Sequence, residues 1–383
     1  MSNKIRCVIL NRNYPPASGI TGHSAADLAD YLICKDIEIS IVCVSANYSG
    51  GGLDKNKVGN IYQIKQIYSG KIKIFRLISN LIEGFLMLKK AISLNINTVI
   101  CMTDPPLINF FSGILLNKKK IRWVYWSMDL YPDAFVSAGI VSKKNIFYKF
   151  ILTKIKKFPP NLLMALGSAQ RDYILKKYQW NIPTIILPCG ISNSLKLSEE
   201  PIWSKNANGK ILIGYVGNLG EAHNFEFIYE VIRNIDPSKY LFILSVYGSK
   251  ALRLINLVSG TRGLIIVENI PQSQLCFIDI HLTSLNAGWE HVCVPSKAVS
   301  AITNGSTILF YGDQLSDTWK ILNRSGWIIN INKDIKKEII EWFEKITLDS
   351  IILRKNNSIK IKYLLENYKN NTYEALHKFI ISK

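Results

Sequence analysis

Short continuous runs of apolar residues alternate along the chain with segments in which apolar residues recur every three or four positions. Residues 4–10 predict a strand, residues 23–35 an amphipathic helix and residues 37–46 a second strand. A strand, a crossover helix and a strand are the opening of a parallel βαβ unit. The alternation continues with an amphipathic helix over 76–94. Further strands are predicted at 61–68, 97–103, 121–126, 162–167 and 184–188.

The polar, turn-rich segment 189–208 interrupts this alternation, which then starts again. Lysine-rich helices from 333 to 381 follow the second series of strands. Two consecutive series predict an α/β fold with two facing Rossmann-like parallel-sheet domains and an interdomain cleft, because such sheets bind ligands at the carboxyl ends of their strands. The strands of the second series are predicted at 210–216, 240–248, 264–270, 276–282, 306–312 and 326–331.

The predicted domains are an N-terminal Rossmann-like domain over 1–190, a linker over 191–209 and a C-terminal domain over 210–360. A length of 383 residues agrees with about two domains. A C-terminal helix around 360–383 is a candidate to pack back on the first domain.

The net charge of +19 is concentrated in the first half of the chain, where residues 1–200 hold 26 Lys and Arg against 12 Asp and Glu. Six lysines alternate with aromatic and aliphatic residues in 143–160, and 117–126 repeats the pattern. Because such a surface suits anionic lipid headgroups, we expect contact with an anionic membrane surface. A solvated lysine-rich helix face is the alternative. No nucleic-acid-binding motif accompanies these segments, so no nucleic acid is expected as a partner.

The seven cysteines lack the spacing of a metal site or a disulfide framework, which indicates reduced, buried thiols. We therefore expect no metal site. No stretch reaches the roughly 18 apolar residues that span a bilayer, and the apolar run at 7–10 is too short for a signal peptide. These features lead us to expect a cytoplasmic protein.

A glycine turn after the predicted strand at 210–216 is the first candidate for ligand chemistry. Gly217, Asn218 and Gly220 lie in this turn, and polar residues then start a helix. Small residues let the backbone approach an anion, and the N–H groups at a helix start point towards it. The turn therefore predicts a phosphate site, although turns that need a positive φ use glycine as well.

Three later elements point to the same ligand. Tyr247 and Gly248 end one predicted strand, and Asn269 and Ile270 end the next. The third element is a small-residue turn followed by a helix start, and it contains Asn286, Ala287, Gly288, Trp289, Glu290, Pro295, Ser296 and Lys297. Proline is favoured in a first helical turn, and a lysine there adds a full charge to the helix dipole, so this element predicts a diphosphate site.

Together these motifs resemble the bacterial GT-B glycosyltransferases of the glycosyltransferase family 4 type, especially those that build O-antigens, capsules and other surface polysaccharides. The resemblance rests on YVGNLGEAH at 215–223, a later YG turn, and VPSK at 294–297 followed by NG. In the first half, NYPPASGITGHSAADLADYL at 13–32 resembles the family's opening strand, glycine loop and helix. The segment WSMDLYPD at 126–133 is similar to its HxxDxxP(E/D) segment.

The resemblance implies that the C-terminal domain binds a UDP- or GDP-sugar and that the N-terminal domain binds a polyprenyl-diphosphate-linked saccharide acceptor. It implies a retaining transfer in surface polysaccharide biosynthesis, without metal or cofactor, by an enzyme peripheral on the inner face of the cell membrane. The absence of a DxD motif agrees with metal-independent binding. Gly19, Thr21 and Gly22 are implied as an acceptor or phosphate loop. The turns and the helix start named above, with Ser300, are implied to bind the donor.

Two features depart from the family pattern. The family's two glutamates, eight positions apart, correspond to Val292 and Ser300, and Glu290 is the nearest carboxylate. A loop surface charge explains Glu290 equally well. The basic residues that often follow the glycine turn are replaced in 221–223, so Lys297 is the best available cation, with Lys250 or Arg253 as possible additions.

Three residues are candidates for a catalytic base. Asp129 and Asp104 each follow an apolar strand, and His23 starts a helix after Gly22. Capping by Asp129, a turn before proline at Asp104 and a simple helix start at His23 are the structural alternatives. In a retaining reaction the leaving phosphate can itself deprotonate the acceptor, and no protein base is then needed.

Two other functions stay open. A sugar-nucleotide epimerase of the same fold would not need the basic aromatic surface, and an inactive homologue could bind sugar nucleotide as a partner subunit. The missing glutamate pair favours the second of these. A dehydrogenase is disfavoured because no GxGxxG follows a strand with an acidic residue on the next one.

Overall fold

The computed structural model describes residues 4–16, 19–45, 57–70, 72–191 and 199–382. Residues 17 and 18 of the first motif, residue 46 of a predicted strand and residues 192–198 of the predicted linker lie outside this part. The chain divides into two compact units. The first comprises Met1–Cys189, His291–Cys293 and Lys369–Lys383, and the second comprises Gly190–Glu290 and Val294–Tyr368.

The first unit is built on one parallel sheet. Its strands are β1 (Arg6–Leu10), β2 (Glu38–Ser45), β3 (Asn60–Lys65), β4 (Thr98–Cys101), β5 (Arg122–Ser127), β6 (Leu162–Ala165) and β7 (Thr184–Ile186). They follow the order β3-β2-β1-β4-β5-β6-β7, and every neighbouring pair is parallel. Its helices are α1 (Ile20–Ile33), α2 (Lys73–Ile92), α3 (Ile108–Lys118), α4 (Asp133–Ser137), α5 (Ile146–Lys157) and α6 (Ser168–Tyr178). The interior strand β1 is fully buried from Cys7 to Leu10, as expected of a parallel sheet covered on both faces.

The second unit repeats this architecture. Its strands are β8 (Ile211–Asn218), β9 (Tyr240–Tyr247), β10 (Leu264–Ile266), β11 (Ile280–Ser284), β12 (Thr307–Gly312) and β13 (Gly326–Asn330). They are parallel in the order β10-β9-β8-β11-β12-β13. Its helices are α7 (Ile202–Lys205), α8 (Phe225–Arg233), α9 (Ala251–Val258), α10 (Ser296–Thr303), α11 (Asp317–Leu322), α12 (Ile335–Lys345) and the start of α13 (Leu348–Ile381). Two Rossmann-like parallel-sheet domains are therefore confirmed.

One predicted strand is displaced. Residues 276–282 were expected to be extended, but residues Gln272–Phe277 form a 3₁₀ helix and β11 begins only at Ile280. Asp279 fixes this start, because its carboxylate accepts a hydrogen bond from Leu212 N at 2.8 Å and contacts Lys355 Nζ at 2.7 Å. These partners are far away in the sequence, so the local apolar pattern does not reveal them.

Two boundaries matter for the site. Helix α1 begins at Ile20, three residues before the predicted start, and Gly19 is its N-cap residue. Strand β8 continues through Gly217 and Asn218, so the first glycine of the predicted turn is still paired with its neighbour β9.

Helix α13 contains 34 residues and contributes to both units. Within the first unit, Lys369 Nζ donates to Asp27 at 3.0 Å and Thr372 donates to the Ile186 carbonyl at 2.9 Å. Tyr373 packs against Tyr31 with ring centroids 5.2 Å apart. Among the described residues, no helix is both long enough and apolar enough to cross a bilayer.

Candidate functional site

The predicted glycine turns of the second unit pack against each other at the carboxyl ends of β8 and β9. Gly217 and Gly248 have φ of 119° and 108°. A Cβ on Gly248 would lie 2.1 Å from Asn218 Oδ1 and 3.1 Å from Leu219 N, so only glycine fits there. Leu219 N also donates to the Tyr247 carbonyl at 2.7 Å. The two neighbouring strand ends therefore form one tight backbone surface.

Lys297 lies beside this surface. It belongs to the first turn of α10, whose N-cap residue is Pro295. Its Nζ donates to the Tyr215 hydroxyl at 2.7 Å and to the Asn218 carbonyl at 2.9 Å. The same atom would be 3.9 Å from a Cβ placed on Gly217. The structure thus brings together the predicted cation and the predicted glycine turn, which are about 80 residues apart in the sequence.

Asn286 braces the loop that follows the glycine turn. Its side-chain amide donates to the carbonyls of Glu221 at 2.9 Å and His223 at 3.1 Å, and its own carbonyl accepts from Asn224 Nδ2 at 3.0 Å. Next to it, Gly288 N donates to Glu290 Oε1 at 2.9 Å. Asn286 therefore holds the 221–224 loop in place. The carboxylate of Glu290 is engaged within the predicted turn.

His223 is a neutral imidazole at this site. Its Nδ1 donates to the Ser284 carbonyl at 2.7 Å, and its ring meets the Tyr215 ring edge-on. Burial and then the charge of Lys297 hold the pKa of His223 well below its usual value, and Lys250 lowers it further. Because Nδ1 carries the hydrogen, Nε2 is left as an acceptor.

Sequence reasoning did not select Tyr215 or His223 as site residues. The only available signal was a tyrosine inside a buried strand, since a buried hydroxyl needs a partner. Burial raises the pKa of Tyr215, so its hydroxyl stays protonated and donates to the Asn218 carbonyl at 2.8 Å.

The other residues predicted to bind the sugar-nucleotide donor differ in solvent exposure. Ala287 and Asn269 are exposed, whereas Trp289 and Ile270 are buried. Gly220 follows the turn, where a Cβ would lie 3.3 Å from Asn218 Nδ2.

Ser296 and Ser300 adjoin a different glycine. Ser300 is buried and donates to the Gly190 carbonyl at 3.1 Å. A Cβ on Gly190 would lie 2.5 Å from the Ser296 carbonyl oxygen. The Ser300 hydroxyl is thus used in packing α10 against the start of the second unit.

The first unit brings together the two aspartates predicted as catalytic candidates. Asp104 follows β4 and Asp129 follows the neighbouring strand β5. Asp104 Oδ2 accepts from Asn13 Nδ2 at 2.7 Å, and Asp129 N donates to Thr103 Oγ1 at 2.9 Å. Both aspartates are partly exposed at the carboxyl edge of the sheet.

Their acidity is coupled. Burial raises the pKa of Asp104 to about 6 against the opposing charge of Arg12, and the charge of Glu83 adds to the rise. Burial, followed by the charge of Asp104, raises the pKa of Asp129 to about 6 as well. Two carboxyl groups that titrate near neutral pH are suited to accept or donate a proton.

The predicted loop of Gly19, Thr21 and Gly22 forms the start of α1. His23 N donates to the Gly19 carbonyl at 3.1 Å, which closes the first helical turn. Asn11, at the end of β1, donates from Nδ2 to the Asn13 carbonyl at 2.6 Å and approaches Thr21 Oγ1 at 3.5 Å. Asn11 and Asn13 thus connect this loop to Asp104. Within the described ranges, no group of three or more His, Cys, Asp or Glu residues could hold a metal ion.

No family model matches the chain. It is 23% identical over 302 residues to WbjE of Pseudomonas aeruginosa, described as a probable glycosyltransferase, and the match covers 74% of this chain and 73% of that protein.

Several solved structures share the fold over almost the whole chain. Sucrose-phosphate synthase from Thermosynechococcus elongatus has a TM-score of 0.73 at 10% identity, and the match covers 99% of this chain and 100% of that one. WaaG, a glycosyltransferase involved in lipopolysaccharide biosynthesis, has a TM-score of 0.70 at 14% identity, with coverage of 98% and 100%. HepE of Anabaena, solved with UDP and glucose, has a TM-score of 0.66 at 10% identity, with coverage of 98% and 100%. The predicted GT-B fold and the predicted glycosyltransferase class are confirmed.

Proposed function

We propose that this chain transfers a sugar from a UDP- or GDP-sugar to a lipid-linked saccharide during bacterial surface polysaccharide biosynthesis. The observation that carries the proposal is the position of Lys297 Nζ, which lies beside Gly217 at the carboxyl end of β8. An ammonium group next to close-packed glycine backbone is suited to a diphosphate.

The donor is assigned to the second unit. Its positive-φ glycines, Gly217 and Gly248, leave the backbone free of side chains where phosphate oxygens would approach. HepE, which shares the fold, was solved in complex with UDP and glucose, and this supports a sugar nucleotide as the donor class.

The acceptor is assigned to the first unit, which contains Asp104 and Asp129. Its surplus of Lys and Arg favours an acceptor that carries a diphosphate and sits at an anionic membrane surface. The involvement of WaaG in lipopolysaccharide biosynthesis supports this class of acceptor. On this proposal the enzyme works peripherally on the inner face of the cell membrane.

In the proposed reaction, the bond between the anomeric carbon and the donor phosphate oxygen breaks. A bond forms from that carbon to an acceptor hydroxyl oxygen. Lys297 stabilises the negative charge that develops on the leaving diphosphate. The hydroxyl proton goes to a leaving phosphate oxygen if configuration is retained, and then Asp129 and Asp104 orient the acceptor. In an inverting reaction one of these carboxylates takes the proton. Neither route requires a metal.

The experiment is incubation of the purified protein with UDP- and GDP-sugars and a polyprenyl-diphosphate-linked saccharide. We expect nucleotide release and a product heavier by one sugar for one pairing. Nucleotide release in the absence of an acceptor, accompanied by a changed configuration of the sugar, would instead identify an epimerase. Nucleotide binding with no turnover across the whole panel would contradict the proposal and favour a binding subunit.

A further inference from the structure

Helix α2 has apolar residues on both its buried and its exposed side. The buried side holds Met87, Leu88 and Ala91 together with Ser79 and Glu83. Glu83 is fully buried, and its carboxylate accepts hydrogen bonds from Arg12 Nε at 2.9 Å, Ser79 Oγ at 2.8 Å and Ile67 N at 2.9 Å. The outward face is apolar. We call it the α2 stripe, and it consists of Ile74, Phe75, Ile78, Ile82, Phe85 and Leu86, each between 36% and 56% exposed. The exposed face of a helix in a soluble protein is normally polar, so a row of exposed apolar side chains is unusual.

The α2 stripe continues across two neighbouring helices. Phe85 contacts Phe111 with ring centroids 6.1 Å apart, and Phe111 contacts Phe110 at 5.2 Å. Phe110 in turn contacts Phe150 of α5 at 6.2 Å. On α5, Phe147 is 77% exposed. The apolar surface therefore extends without interruption from α2 over α3 to α5, well beyond the scattered exposed residues of an ordinary surface.

Cations border this surface on α2 and on α5. Lys89 Nζ lies 5.9 Å from the centre of the Phe85 ring, and Lys154 Nζ lies 5.4 Å from that of Phe150. Further basic residues in the three helices and at their ends include Arg76, Lys90, Lys118, Lys119, Lys120, Lys149, Lys156 and Lys157. Among the residues of α2, α3 and α5, the one acidic side chain is Glu83, which points inward to Arg12.

We propose that the α2 stripe inserts into the boundary between headgroups and acyl chains of an anionic bilayer, with the lysines of α5 at the level of the lipid phosphates. An apolar face bordered by charges of one sign matches this environment, because long lysine side chains reach the headgroups while the helix lies in the membrane plane. A protein partner would need a matching acidic rim around an apolar patch. The proposed function supplies the reason for membrane binding, namely a lipid-linked acceptor. The binding itself requires no turnover and can be tested separately.

This assignment differs from the expectation drawn from the sequence. The sequence placed the expected membrane contact on the basic, aromatic segments 143–160 and 117–126. The structure adds an apolar component on α2, so binding is expected to have a salt-sensitive part from α5 and a salt-resistant part from α2.

The test is flotation of the full chain with vesicles of phosphatidylcholine, with and without phosphatidylglycerol. The triple variant Phe75→Gln, Ile78→Gln, Ile82→Gln is expected to lower partitioning by about tenfold and to abolish the salt-resistant part. The conservative variant Phe75→Leu is expected to bind as the unsubstituted chain does. The matched control is Leu252→Gln with Leu257→Gln, which removes exposed apolar residues from α9 of the second unit and is expected to change nothing.

Thermal unfolding shows whether each variant is folded. Equal flotation of the folded triple variant and the unsubstituted chain would overturn the inference. So would a dimer in the absence of vesicles that the triple variant abolishes, because the stripe would then bind a second copy. Sugar transfer to a short-chain, water-soluble acceptor is expected to be equal in the triple variant and the unsubstituted chain. If neither protein transferred sugar, the proposed function would be contradicted, but the flotation result would stand.

Discussion

The ammonium group of Lys297 donates a hydrogen bond to the hydroxyl of Tyr215 at 2.7 Å and lies 4.3 Å from the centre of the same ring. Tyr215 is fully buried on β8, the strand that carries Gly217. The Tyr215 side chain therefore fixes the Lys297 ammonium group relative to the backbone of Gly217. A positioned charge of this kind stabilises a developing negative charge without having to reorganise during the reaction.

Replacing Lys297 by alanine is expected to lower kcat/KM for the sugar nucleotide by about 10²-fold, because the developing charge on the diphosphate loses its cation. Lys297→Arg should recover part of this loss. Steady-state nucleotide release measures both. Lys239→Ala is the control, since that lysine is exposed on the same unit. Equal kinetics for Lys297→Ala and the control would exclude this role.

Tyr215→Phe is expected to raise the donor KM by about three- to tenfold, the effect of losing one hydrogen bond. Lys297 keeps its bond to the Asn218 carbonyl, so the effect should be smaller than that of Lys297→Ala. Calorimetric titration with UDP and GDP measures the affinity directly. An unchanged affinity would mean that the hydroxyl does not position the ammonium group.

Gly248→Ala is expected to destabilise the second unit and to weaken nucleotide binding, because the new Cβ would lie 2.1 Å from Asn218 Oδ1. Gly260→Ala is a matched control: its φ of 81° is also positive, but a Cβ there would have no neighbour within 4 Å. Backbone strain alone is worth roughly 1–3 kcal/mol and should appear in both variants. Denaturant unfolding should show the larger loss for Gly248→Ala, and only this variant should bind UDP more weakly.

The pH dependence of activity tests the aspartate pair. If a carboxylate accepts the proton, kcat/KM should rise as the pH increases through about 6, where Asp129 ionises. Asp104→Asn removes a neighbouring charge, so the pKa of Asp129 should fall and the rise should move to lower pH. Full activity in Asp129→Asn would instead assign the proton to the leaving phosphate.

The same groups affect stability. Their pKa in the folded chain, about 6, lies above the ordinary value of 3.8, so the folded state binds more protons between these values. The free energy of unfolding should therefore fall as the pH rises through this window. Unfolding of Asp104→Asn at several pH values should show a weaker dependence, and a steeper one would contradict the assignment.

Arg12→Met should reduce the free energy of unfolding by about 3–5 kcal/mol, because it leaves the buried carboxylate of Glu83 without its cation. It should also raise the pKa of Asp104 further, since Arg12 lowers it. The control is Arg6→Met, which removes the exposed Arg6–Glu38 pair and should cost less than about 1 kcal/mol. Similar losses in both variants would show that burial of Glu83 adds nothing.

Much of the fold could be predicted because parallel sheets of this kind have simple rules. Their strands are continuous apolar runs, and their carboxyl ends gather at one edge. These two rules predict that Asp104 and Asp129 lie at one edge of the first sheet although they are 25 residues apart, and the structure adds that their strands are neighbours. The same rules predict that Gly217 and Gly248 lie at one edge of the second sheet, and the structure adds that their strands are neighbours.

The remaining features depend on contacts that a local pattern does not contain. The local sequence of α2 does not show which of its apolar residues are exposed, and the burial of Glu83 depends on its distant partner Arg12. The neutral state of His223 depends on its burial and on the charge of Lys297, which is more than 60 residues away in the sequence. The hydrogen bond from the Ser300 hydroxyl to the Gly190 carbonyl likewise follows only from the packing of α10.

The first unit includes the C-terminal part of α13, and this affects the order in which the chain can fold during synthesis. Its sheet is complete once residue 186 has been translated, but Tyr373, Leu376 and Ile380 of α13, all buried, are made only after the whole sheet of the second unit. Until then, the apolar surface that these side chains cover stays open in the nascent protein. The first unit to be synthesised is therefore not the first that can finish folding, contrary to the usual N-terminal-first order.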